Sequence, residues 1–160
     1  MSHYSRLIAE VYSDNHHWVD LVFNAAPMHD IGKIGVSEII LNKEGALTEE
    51  EFESIKQHPC IGEKLCSPLK SLNPIWQILQ HHHERYDGKG YPDGINGEDI
   101  PAEARVIAIA DSFDAMSSDR PYRDKLSMDN VIRELDAGKD SQWDEKAVTC
   151  LIQLINDGIY

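Results

Sequence analysis

PAEARVIAIADSFDAM, residues 101–116, opens on a proline and continues as a long apolar run. Proline fits the first turn of a helix, and the length of the run suits a helix better than a strand. One residue breaks the pattern. Asp111 interrupts V-I-A-I-A, where an unpaired carboxylate would be expensive to bury. The run therefore predicts a core helix and asks what accompanies its aspartate.

Working outward, helical periodicity dominates and strand-like alternation is nearly absent. SHYSRLIAEVYS (2–13) places Leu7, Ile8 and Val11 on one stripe. WVDLVFNAAPMHD (18–30) carries Trp18, Leu21, Val22 and Ala25 down to His29, with Pro27 bending the last turn. Thr48 and Glu51 form a capping box for a helix through Phe52 and Ile55 to His58. Asn73 and Pro74 read as N-cap and first residue of a helix running through His81-His82-His83-Glu84. Shorter helices are expected near 127–137, ended by Gly138, and 144–156. The expected fold class is all-α.

The 160 residues fit one domain, and no repeat or linker divides them. A formal charge of −13 disfavours a nucleic acid polymer or an anionic membrane as partner. It permits a small phosphorylated ligand wherever local cations reverse the field. No stretch reaches membrane-spanning length and no signal peptide is visible. Cys60, Cys66 and Cys150 have no metal or disulfide spacing, which suggests free thiols in a reducing cytoplasm.

Polar residues recur on the apolar faces. On the predicted helix before the HHHERYDGKGYPDG stretch (81–94), His82 follows Ile75 and Leu79, and His83 follows Trp76 and Leu79. His81 instead stacks over Gln77 and faces outward. His29 and Asp30 end an apolar helix, and His58 lies on the stripe of Phe52 and Ile55. Any one of these alone reads as a satisfied core or capping residue. Together with Asp111 they deliver imidazole and carboxylate to the interior from four helices, and metal ions would offset the desolvation of all of them. His29, Asp30, His58, His82, His83 and Asp111 are too many donors for one tetrahedral zinc. They suit two octahedral ions such as iron or manganese, a pair able to generate hydroxide at neutral pH and clamp a phosphoryl group.

HDIGK (29–33), HPCIG (58–62), HHERYDGKGYP (82–92), ADSFDA (110–115) and SDRPYR (118–123) together resemble the HD-GYP domain, a branch of the HD phosphohydrolases that linearises cyclic di-GMP. The resemblance implies an HD-domain helical bundle spanning 1–160. It implies the same six ligands, with Asp30 bridging two divalent ions. Lys33 would reach a substrate phosphate, Arg120 and Arg123 would grip the phosphates of the cyclic dinucleotide, and Gly90, Tyr91 and Pro92 would form the pocket lip. The products would be linear pGpG and then GMP. Cyclic GMP-AMP is a rival substrate, and a silent module docking GGDEF-type partners is a rival role. One departure accompanies the match: the family's first ligand histidine would fall before Met1. The first helix therefore reads as incomplete and the usual sensory or receiver domain as missing, with His3 out of phase and His16 and His17 on the surface.

Overall fold

The computed structural model describes residues 1–119 and 124–160, and these form an all-α bundle. Among the described residues the only β pairing is an isolated bridge between Lys139 and Trp143. Helix α7 (Ala102–Ser117) is the axis, as its sequence predicts. It buries Ala104, Val106, Ile107, Ile109, Ala110 and Phe113, residues that cover most of its circumference. Helices α1 (Ser2–Tyr12), α2 (His16–Ala25) and α9 (Glu145–Asn156) pack around it, with α8 (Met128–Ala137) against α7 and α9. A second layer follows from α3 (Glu38–Leu41) and α4 (Glu49–Ile55) to α5 (His58–Cys66) and α6 (Asn73–His81).

Several local expectations change. On α1 the buried stripe is Ser5, Ile8 and Ala9, while Val11 is exposed. On α2 it is Val19, Val22 and Ala25, with Trp18 and Leu21 only partly covered. The α2 helix stops at Ala25. Pro27 sits in a 3-10 turn (Ala26–Met28), so His29 and Asp30 occupy a tight bend before a second 3-10 segment, Ile31–Gly35.

The predicted continuation of α4 to His58 also fails, and Phe52 is exposed rather than core. The capping box forms as read, with Thr48 accepting from Glu51 N and Glu51 accepting from Thr48 N. Pro59 supplies the reason for the break. It has no N–H to donate to the Ile55 carbonyl four residues back. The His58 imidazole takes that carbonyl instead, Nδ1 to O at 2.8 Å. Helix α5 then restarts at His58 itself. Likewise α6 ends at His81, so His82 and His83 stand just beyond the helix rather than within it.

Candidate metal centre

Three imidazoles are set the same way. Nδ1 of His29 faces the Ala26 carbonyl at 2.7 Å, that of His58 faces Ile55 at 2.8 Å, and that of His82 faces Leu79 at 2.7 Å. A carbonyl can only accept, so Nδ1 carries the proton and donates. In the neutral ring Nε2 is then a bare lone pair. His58 Nε2 lies 3.4 Å from His82 Nε2 and 3.4 Å from Asp30 Oδ1. Acceptor therefore faces acceptor, with no proton to share. His83 completes the group: ligand atoms of Asp30, His58, His82 and His83 all lie within 4.8 Å of one another.

A second convergence adjoins the first. His29 Nε2 is 3.3 Å from Asp30 Oδ2 and 3.7 Å from Asp111 Oδ1. Asp30 thus turns one oxygen to each group. Both His29 Nε2 and Asp30 Oδ1 are buried without a directed hydrogen bond. Leaving such atoms unpaired is costly, and a cation in each group would remove the cost. The donors fit divalent metal: imidazole nitrogens fixed by outer carbonyls, plus carboxylate oxygen.

The two groups differ electrostatically. Burial, the largest influence, holds His58 below its ordinary value despite the Ile55 carbonyl and the Asp30 carboxylate. Burial, with the neighbouring His83 and His29, holds His82 well below. His83 is pulled down to about 3, by burial first and then by His58. All three imidazoles are thereby biased toward the neutral form. For His29 burial also acts downward, but the Asp30 carboxylate, with Oδ2 3.3 Å from Nε2, carries it above the usual value. Burial would raise the Asp30 carboxyl, yet His29 and Lys33 outweigh that and hold it well below the carboxylate range.

Lys33 stands on the 3-10 segment with Nζ 2.6 Å from Asp30 Oδ2, at the rim of the site. His81 is held outside, with Nδ1 against the Gln77 carbonyl and Nε2 3.1 Å from Asp93. His3, His16 and His17 are exposed. The Gly90–Tyr91–Pro92 segment lies beside the cluster. The Tyr91 ring stacks on His83 with centroids 4.9 Å apart, and Tyr91 N donates to the His83 carbonyl at 3.3 Å. Burial, then the charges of Asp30 and Asp111, push the Tyr91 phenol up to about 12. The hydroxyl therefore keeps its proton. Gly90 presses so close that an added Cβ would meet Arg85 N at 2.3 Å and the His83 carbonyl at 2.6 Å. Pro92 follows in the same turn. Arg120 and Arg123 lie outside the described residues.

Three positioning residues escape the sequence reading. A Cβ on Gly32 would meet the His58 carbonyl at 1.8 Å, and one on Gly62 would lie 3.5 Å from Gly32 N. These glycines let the His29–Asp30 bend and the start of α5 approach closely. Glu84 is buried, and its Oε1 accepts from Asp93 N at 2.7 Å and Gly94 N at 3.0 Å, tying the far end of the lip to the histidines. Glycines recurring shortly after candidate ligands, Gly32 in HDIGK and Gly62 in HPCIG, were the available signal.

The family profile described as HD domain matches residues 1–147. The chain belongs to the HD domain family. This HD domain is 44% identical over 157 residues to the cyclic di-GMP phosphodiesterase response regulator RpfG of Xanthomonas campestris, covering 96% of this chain and 41% of that one. It is 42% identical over 151 residues to a cyclic di-GMP phosphodiesterase of Thermotoga maritima, covering 92% and 40%. A 3'3'-cGAMP-specific phosphodiesterase of Vibrio cholerae is 34% identical over 152 residues, covering 94% and 29%. The chain thus spans about two fifths of the length of the first of these relatives. The fold is also that of a crystal structure of a cyclic GMP-AMP specific phosphodiesterase from V. cholerae, with TM-score 0.76 at 16% identity over 98% of this chain and 42% of that one.

Proposed function

We propose that this HD domain is a metal-dependent phosphodiesterase that opens cyclic di-GMP to linear pGpG and then cuts it to GMP. The observation that carries the proposal is the set of acceptors turned on one another, His58 Nε2 facing both His82 Nε2 and Asp30 Oδ1. Relatives named as cyclic di-GMP phosphodiesterases at 44% and 42% identity support the substrate class. In this reading His58, His82 and His83 would hold one ion and His29 and Asp111 a second, with Asp30 shared between them, and iron or manganese would suit such donors. When bound, such a pair polarises phosphoryl oxygen and lowers the pKa of water enough to yield a nucleophile near neutral pH.

The protein's own groups do the rest. The outer carbonyls of Ala26, Ile55 and Leu79 orient three rings and hold their tautomers. Lys33, released from Asp30 by an incoming phosphate, donates to a phosphate oxygen and offsets its charge. Tyr91, protonated across the working pH range, is a hydrogen-bond donor at the lip. Arg120 and Arg123 take the phosphates in the same reading. The three free thiols and the absence, among the described residues, of a helix long and apolar enough to cross a membrane suit a cytoplasmic setting.

The test is chromatography of the products after incubating Mn-loaded and Fe-loaded protein with cyclic di-GMP and, separately, with cyclic GMP-AMP. The expected result is pGpG from the first, faster than any product from the second. Faster cleavage of cyclic GMP-AMP would move the assignment to that substrate, and no cleavage of either would refute the proposal.

A further inference from the structure

Beyond Tyr91 the rim carries a group that the metal chemistry does not use. Phe52, on α4, is 45% exposed. Its ring meets that of Tyr91 edge-on, with centroids 6.4 Å apart. Lys56 Nζ sits 5.0 Å from the Phe52 centroid and 6.0 Å from that of Tyr91. The same ammonium is 2.5 Å from Glu53 Oε1. A Lys–Glu pair three residues apart on a helix surface is ordinary and weak. Here it borders an exposed aromatic ring, one ring away from the ligand cluster at His83.

We infer that Phe52, Glu53 and Lys56 form a guanine-reading shelf beside the metal centre. The inference rests on the proposed cyclic dinucleotide substrate and names the base that the site selects. A purine presents a π-face that stacks on an aromatic side chain, whichever base it is. The edge decides between bases. Guanine offers O6 as acceptor and its ring and exocyclic N–H groups as donors, whereas adenine offers an amino donor where guanine has O6. Lys56 can donate to O6 while the Glu53 carboxylate accepts from N1–H and the N2 amino group. Against adenine the ammonium meets an amino group and the carboxylate meets an acceptor nitrogen. Parting an exposed ion pair costs little, and guanine gives each partner a replacement. Adenine offers neither group a replacement, so the pair stays closed and only guanine gains the two contacts.

The experiment measures binding of GMP and of AMP by calorimetry to the metal-loaded chain, to Lys56→Met and to Glu53→Gln. Metal content and melting temperature are followed alongside. GMP is expected to bind at least about tenfold more tightly than AMP, the scale of one hydrogen bond to a charged group. Each substitution should bring the two ligands within about twofold while metal content and melting temperature hold. Equal affinities in the unsubstituted protein, or a GMP preference that survives both substitutions, would overturn the shelf. Turnover is read separately: a GMP preference without hydrolysis of any cyclic dinucleotide would refute the proposed function and leave the shelf standing.

Discussion

The two sides of the centre are built on opposite principles. On the inner side, His58 and His82 are 1% exposed, and burial biases them and His83 toward the neutral form. On the outer side, Asp30, Asp111 and Lys33 are about a third or more exposed, and ion pairing governs the charge state of His29 and Asp30. The inner side is a fixed nest of lone pairs; the outer side can exchange partners with solvent or substrate. Burial thus shapes the imidazoles, while exposure lets the carboxylates answer to charge.

The comparison breaks most sharply at Asp30, the residue shared by both sides. Asp30→Asn keeps the shape and removes the anion. Hydrolysis of cyclic di-GMP should fall by at least the roughly 100-fold that loss of an outer-shell partner can cause, with far-UV circular dichroism unchanged. Near-normal turnover by a folded Asp30→Asn protein would mean the two sides do not work through a common carboxylate.

Gly32→Ala attacks the seam between the His29–Asp30 bend and α5. The added methyl would lie 1.8 Å from the His58 carbonyl and 2.6 Å from Gly62 N, both backbone atoms. We expect a loss of about 2 kcal/mol or more in urea unfolding, together with weaker metal binding. Wild-type stability would show that the two segments are not held this tightly.

Acid should act on the same contrast. In chelator-treated protein, His58, His82 and His83 have folded values below the ordinary 6.5. As pH falls below about 6.5, the unfolded chain takes up protons that the folded state refuses, so these groups lower stability progressively down toward the folded value of about 3 for His83. Asp30, held low in the fold, acts in the same direction below its ordinary 3.8. His29, raised in the fold, opposes this: its contribution is present below the unfolded value and is lost as pH rises through the folded one. Urea midpoints from pH 7 to pH 4 should therefore fall overall. A flat or rising profile would place the inner imidazoles in water.

The smallest effect belongs to Glu84, which touches neither side directly. Glu84→Ala frees Asp93 N and Gly94 N and should raise KM about tenfold, the scale of a hydrogen bond to a charged group, with metal content held. Glu84→Gln, which keeps an acceptor oxygen, should restore most of the affinity. Metal loss equal to that of a ligand variant would instead make Glu84 part of the centre.

Much of this was legible from periodicity. Helix α7, the boundaries of α8 and α9, and the stripe of Ile75, Leu79 and His82 follow from spacing that burial enforces. The six expected ligands converge around Asp30, although two donor groups form where the helical stripes alone predicted only inward-facing residues. What spacing could not give is the backbone between helices. His58 was assigned to the end of a helix that Pro59 breaks, and His29 to a helix that stops at Ala25. In both places an imidazole bonds to a nearby carbonyl, a local competition that a 3.6-residue period does not encode. The Gly32–Gly62 approach and the Glu84 anchor are long-range contacts and left only their residue types in the sequence.

The central claim is that the inward-facing lone pairs are metal ligands, and the histidine run tests it most directly. Metal stoichiometry should be measured on the reconstituted chain and on His81→Ala, His82→Ala and His83→Ala. His82 and His83 belong to the cluster, whereas His81 is tied outside it to Gln77 and Asp93. The account predicts sharp metal loss in the His82 and His83 variants and near-normal content in the His81 variant. Equal content in all three, whether retained or lost, would contradict it.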